Sequence, residues 1–146
     1  MNWFTFETQS TLDAYDGSAS SFASSRQNGQ WPDLYLPNEI EKRIQQGSVL
    51  DLGSGGGRCI DIFRLRSDQY VGIDGSKSLI KYAKDTYPEY IFLCQKLEDT
   101  WSLPSPSYAS IVGLASLHHL LDTRQHRQFF RQMYQALSPG WIGVLT

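Results

Sequence analysis

The chain has 146 residues, 40% of them apolar and a balanced share charged, enough for one domain with a real core. Thirteen Lys and Arg against fifteen Asp and Glu leave a formal charge of −2, so no global positive field draws it to nucleic acid and any RNA contact needs a local patch. No apolar run spans a bilayer and Met1–Ser10 has no signal-peptide core, so no membrane partner is expected, and two cysteines outside any CxxC pair, Cys59 and Cys94, fit a reduced, cytoplasmic compartment.

Residues 1–36 are polar, rich in Ser and Gln, and punctuated by Tyr15, Phe22 and Trp31. We read them as an N-terminal arm ahead of a domain over residues 37–146. Leu12, Tyr15, Ala19, Phe22 and Ala23 recur at helical spacing and predict a short helix within Thr11–Ser24. Tyr15 and Phe22 either close a lid over a ligand mouth or bury against the first helix of the domain. Pro37 and Asn38 open a helix to Gln46, closed by Gly47. Strands are then expected at Ser48–Leu52, Tyr70–Asp74, Tyr90–Cys94, Ser110–Leu114 and Trp141–Leu145. Helices are expected at Arg58–Arg66, at Ser76–Thr86 with Ser76 as N-cap, and at Thr123–Leu137, ending at Ser138-Pro139-Gly140. This alternation predicts an α/β fold, a doubly wound, mainly parallel sheet covered on both faces. Ligands of such sheets sit beyond the carboxyl ends of the strands, where strand order reverses.

The densest signal falls at that place. A short apolar strand carries Asp51 and runs into Gly53-Ser54-Gly55-Gly56-Gly57. Glycines there let the backbone turn sharply and approach a ligand. The next strand ends in Asp74, about 20 residues on, where a carboxylate can accept both hydroxyls of a ribose. A dinucleotide site wants a third small residue three places after the second glycine, and that place holds Arg58. A nicotinamide-dependent oxidoreductase is therefore disfavoured.

The spacing Asp51-x-Gly53-x-Gly55-x-Gly57 resembles motif I of the class I S-adenosylmethionine (SAM) methyltransferases. The resemblance runs from about Asp13 to Leu145 and implies a Rossmann-like fold with SAM as cofactor. It implies that Asp51, Gly53, Ser54, Gly55 and Gly57 cradle the methionine end, and that Asp74, with Gly75 and Ser76, holds the ribose. The stretch Gln95-Lys96-Leu97-Glu98 then lines the adenine. Gln95 stands where the family usually has an acid facing the adenine amine, with Glu98 and Asp99 as competitors. Ala115, Ser116, His118 and His119 match the segment beside the transferable methyl, and Leu137-Ser138-Pro139-Gly140-Trp141 matches a common Leu-x-Pro-Gly-Gly turn.

A finer resemblance lies in Tyr15-Asp16-Gly17-Ser18-Ala19, Phe22-Ala23-Ser24-Ser25-Arg26 and Trp31-Pro32, with His118-His119 and the Arg124/Arg127 helix. These are similar to the tRNA wobble-uridine carboxymethyl methyltransferases, which esterify a uridine carboxylate and often work with an activator subunit. The resemblance implies tRNA as acceptor, with a small-molecule acceptor as runner-up and a non-catalytic SAM-binding scaffold as the rival from another class. Arg26 is the substrate-side candidate on the arm. His118 or His119 is a general base, a lining group or a structural pair; a carboxylate nucleophile needs no base. Arg124, Arg127 and Arg131 share a helix face, either solvated or gripping an anion. No metal ligand set is expected. Family members add two strands after the fifth, so the sheet is expected to stop short after Trp141–Leu145. That predicts a fragment, or pairing of the bare fifth strand with a second copy or an activator subunit.

Overall fold

The computed structural model describes residues 3–25, 36–114 and 116–146. The strands are β1 (Val49–Leu52), β2 (Tyr70–Asp74), β3 (Ile91–Cys94), β4 (Tyr108–Gly113) and β5 (Leu137–Leu145). Around them lie α1 (Trp3–Ser24), α2 (Asn38–Gln46), α3 (Arg58–Phe63), α4 (Lys77–Thr86) and α5 (Thr123–Ala136). The strands form one sheet in the order β3-β2-β1-β4-β5, with every pairing parallel. Strand order reverses between β1 and β4, which makes the carboxyl end of β1 the place for a ligand crevice.

Alternation along the strands divides two cores. Val49, Tyr70, Phe92 and Val112 pack on one face with Ile44 of α2, Ile60 and Phe63 of α3, and Ile80 and Ala83 of α4. Leu50, Leu52, Val71, Ile73 and Ile111 pack on the other, closed by Phe129 and Ala136 of α5. All of β1 and β4 is buried, as central parallel strands covered on both sides must be. Among the described residues, no helix is long and apolar enough to cross a membrane.

Four elements differ by more than a residue from the sequence expectation, the least of them β4, which begins at Tyr108 rather than Ser110. The N-terminal helix begins at Trp3 rather than near Thr11, and it kinks at Ser18 (φ −128°, ψ 15°). There the Ser18 hydroxyl donates to the Ala14 carbonyl at 2.9 Å, a local competition that bends helices. Helix α3 stops at Phe63 instead of Arg66: Arg64 turns left-handed (φ 53°) and the Leu65 amide donates back to Ile60 O at 2.9 Å. That wrap-around closure carries Leu65 into the core. The expected turn at Ser138-Pro139-Gly140 lies inside β5. Pairing opens at Tyr108–Leu137, shifts register, and resumes at Ser110–Ile142, with Gly140 at φ 79° in the bulge.

Helix α1 packs along α4. Ala19 and Ala23 meet Leu79, flanked by Tyr15 and Tyr82. The Asp16 carboxylate accepts from the Ser76 hydroxyl and, at 3.0 Å, from the Ser78 amide. An acid at a helix N-terminus is favoured by the unsatisfied amides and the dipole there, and these bonds hold the Asp16 carboxyl below its ordinary pKa. Ser76 is the α4 N-cap, accepting from the Leu79 amide at 3.2 Å.

Candidate functional site

Parallel register sets Leu52 beside Ile73, so the glycine turn after β1 and Asp74 at the end of β2 emerge side by side. The turn runs through Gly53, Gly55 and Gly57 at φ 73°, 53° and 87°, the left-handed region that glycine enters without steric cost. The Gly53 and Ser54 amides both donate to Ile73 O at 2.9 Å, fastening the loop to β2. Gly55 N donates to Asp74 Oδ2 at 2.9 Å, and Ser76 N donates to Asp74 Oδ1 at 2.8 Å. Asp74 is thus gripped by the two neighbouring βα turns, and each oxygen keeps a lone pair for a further donor. Burial raises its pKa first; the two amides oppose this and the nearby Asp16 charge adds to it.

A cavity opens over this loop. It is lined by Gly53, Ser54, Gly55, Asp74, Gly75, Lys96, Leu97, Glu98, Ser116, His118 and His119 among the residues singled out by sequence. A Cβ on Gly55 would meet nothing within 4 Å, so the middle of the loop faces open space. Ser116 is 2% exposed, and its hydroxyl has no hydrogen-bond partner among the described residues. An unsatisfied buried hydroxyl on a cavity wall is a natural ligand contact. Burial raises the Glu98 pKa. The His118 and His119 rings lie 4.0 Å apart between centroids, and the His119 pKa is lowered, first by burial and then by His118. Tyr15 Oη lies 3.3 Å from His119 Nε2 and meets that ring edge-on.

Four expected contacts lie elsewhere. Asp51 is buried beneath the loop, accepting from the Tyr70 hydroxyl at 2.7 Å. Its partner across β2 is Gly72, where an added Cβ would stand 2.8 Å from Tyr70 Oη; the bare backbone makes room for that phenol. Burial raises the Asp51 carboxyl to about 6, opposed by Tyr70, Cys59 and the Arg58 charge. Gly57 caps α3, hemmed in by Phe92 and Tyr87, and Ser76 caps α4. Gln95 does not face the cavity: its side-chain amide donates to Ser102 O at 2.9 Å and accepts from Ser102 N at 2.7 Å. Ala115 and Arg26 lie outside the described residues, as do Trp31, Pro32 and the Phe22 side chain.

The cavity also has walls that motif spacing does not reveal. Leu12, Tyr15 and Ala23 of α1 and Leu79 of α4 cover one side. Arg58 lines it too, with Nη2 donating to Leu114 O at 2.8 Å across the switch point. Tyr15, read from sequence either as a lid over a ligand mouth or as packing against the domain, lines the cavity; for Leu12 and Ala23 the helical period was the available signal, and it does not say which surface they cover.

Residues 49–140 match the methyltransferase domain family. A Schizosaccharomyces pombe protein named as an uncharacterized methyltransferase is 32% identical over 96 residues, covering 63% of this chain and 37% of that protein. Among solved structures, DhpI in a DhpI–SAM–HEP complex superposes with TM-score 0.66 at 22% identity, over 97% of this chain and 65% of DhpI. Streptomyces venezuelae DesVI superposes with TM-score 0.62 at 17% identity, over 90% of this chain and 50% of DesVI. The chain therefore spans about a third to two thirds of the length of these proteins.

Proposed function

The chain belongs to the methyltransferase domain family, and on that premise we propose that the cavity binds SAM and presents its methyl to a carboxylate acceptor on a modified tRNA uridine. The observation that carries the cofactor part is Asp74, clasped by Gly55 N and Ser76 N with acceptor capacity left over on the cavity wall. The residues fit the group. A ribose needs paired acceptors, supplied by Asp74; an amino-acid end needs close backbone approach, supplied by the open Gly55 turn; an adenine needs an apolar slot, supplied by Leu79 and Leu97. DhpI, of the same fold, was solved with SAM.

A bound SAM would supply a sulfonium-activated methyl to the acceptor oxygen. The protein aligns the partners and excludes water. Leu12, Tyr15 and Ala23 cover the cavity from α1, and His118 and His119 stand at its rim. A depressed pKa favours the neutral form of His119 at physiological pH, suited to accept or donate one hydrogen bond to an acceptor group. A carboxylate nucleophile asks for no proton removal, so these rings position rather than deprotonate. The tRNA part rests on the N-terminal and His-His resemblance.

The test is calorimetric titration with S-adenosylhomocysteine on wild type and Asp74→Ala. Micromolar binding lost in the variant is expected; a wild type that does not bind would overturn the cofactor reading. Transfer of radiolabelled methyl to tRNA carrying 5-carboxymethyluridine, absent with unmodified tRNA, tests the acceptor.

A further inference from the structure

A second concavity lies on the α5 side of the sheet, apart from the cofactor cavity. Arg124, Arg127 and Arg131 line it together, facing Trp101 and Leu103 on the loop after β3, and no carboxylate lines it. All three arginines are exposed, and none is in either recorded ion pair, Arg66–Asp68 or Lys81–Asp85. The carboxylate at the α5 N-terminus, Asp122, is engaged in capping through the Gln125 amide. On a 3.6-residue helix the three arginines fall within a ~60° arc and span about 10 Å along the axis. Spread over that length, the row offers separate contacts to successive charges of an extended polyanion.

The opposite wall is held in place. The Gln132 amide donates to Asp99 O at 2.9 Å and accepts from Trp101 N at 2.8 Å, tying the loop to α5. The Trp101 indole donates to Leu97 O at 3.3 Å and packs edge-on against Phe129. Since Leu97 lines the cofactor cavity, one loop walls both the cavity and the groove. Tyr134 is 82% exposed and continues the stripe at i+3 from Arg131, which sets a free aromatic face beside the guanidinium row. Cation stripe plus bare aromatic is the chemistry of single-stranded nucleic acid, phosphates on the arginines and a base on the ring.

We propose that this groove grips the sugar–phosphate backbone of a single-stranded RNA segment and leads the acceptor nucleotide toward the His118–His119 rim. The choice of RNA over other polyanions rests on the acceptor reading above. It locates the local positive patch that a chain of net charge −2 requires.

The experiment is fluorescence anisotropy of a labelled oligouridylate across a KCl series. It uses the full chain, a triple variant Arg124→Gln/Arg127→Gln/Arg131→Gln, Tyr134→Ala, and a charge-matched control Arg43→Gln/Lys81→Gln/Lys84→Gln on the opposite face. We expect the groove triple to weaken binding at least tenfold and flatten the salt slope by about 2, from ~0.7 per phosphate contact. Tyr134→Ala should weaken it severalfold, and the control less than twofold. Equal losses in both triples, no loss in the groove triple, or equal displacement by polyglutamate would overturn the proposal. S-adenosylhomocysteine calorimetry on the groove triple separates the two readings: no groove arginine lines the cofactor cavity, so its affinity should match wild type. RNA held through the arginines by a chain that does not bind S-adenosylhomocysteine would sustain the groove and sink the cofactor site; the reverse pattern would do the opposite.

Discussion

The Tyr70 hydroxyl donates a 2.7 Å hydrogen bond to Asp51 inside the sheet, so the first acid of the glycine motif is satisfied by its own protein. Burial raises its carboxyl to about 6, against roughly 3.9 in an unfolded chain. Between these values the folded state binds more protons than the unfolded state. The Asp51 contribution to stability is therefore full at low pH and lost as pH rises from about 4 through about 6. Asp51→Asn should remove this component, so that the wild type loses roughly 2–3 kcal/mol relative to the variant across that window. Urea unfolding of both proteins along the pH series measures it, and parallel curves would refute the assignment.

The glycines of the loop should separate folding from binding. Gly57→Ala places a Cβ 3.0 Å from Phe92 and 3.1 Å from Tyr87 in a left-handed backbone, and should cost about 2 kcal/mol or more. Gly55→Ala carries only the backbone penalty of about 1 kcal/mol, because its Cβ meets nothing within 4 Å. It should nevertheless weaken S-adenosylhomocysteine more than tenfold by filling the space that the ligand takes. Thermal unfolding and calorimetry on the two variants give both readouts.

Asp16 fastens α1 to the α4 N-terminus. Asp16→Ala should cost about 0.5–1 kcal/mol, the worth of a lost helix cap, and should raise hydrogen exchange at residues 12–24 while leaving the amides of β1 and β4 protected. Because the Asp16 carboxyl is held below its ordinary pKa, its stabilisation is present at neutral pH and lost as acid protonates it. Exchange mass spectrometry at neutral and acid pH would show the difference disappearing.

Gln95 and Glu98 offer a contrast in ligand affinity. Gln95 is clasped to the Ser102 backbone, whereas Glu98 lines the cavity. Glu98→Ala should weaken S-adenosylhomocysteine several-fold, and Gln95→Ala should act mainly on exchange in residues 95–102. Equal affinity losses would place both side chains on the ligand.

Much of this organisation was legible locally. Apolar runs and glycine turns located β1, β2 and β3 within a residue, and Ser76 as N-cap followed from its place before the α4 pattern. The helix α3 end was not legible, because Leu65 leaves the helix to fill a core that only other elements create. The same holds for β5: the Ser138-Pro139-Gly140 signal is a turn in sequence and a bulge in the sheet, since β4 supplies the pairing that carries the strand across it.

What the sequence determined by itself is the chemistry that must be local: the glycine spacing, the acid ending the second strand, the alternation of strand and helix, and thus the sheet. Backbone conformation and amphipathic period depend on near neighbours, so they are written in short windows. Tertiary structure decided which of those groups face the cavity. It turned Asp51 inward onto Tyr70 and Gln95 onto Ser102, brought Tyr15 to His119, and gathered the α5 arginines against the Trp101 loop. Those outcomes depend on contacts between residues as many as 104 positions apart, whose placement follows from burial and register across the whole sheet rather than from any stretch of chain.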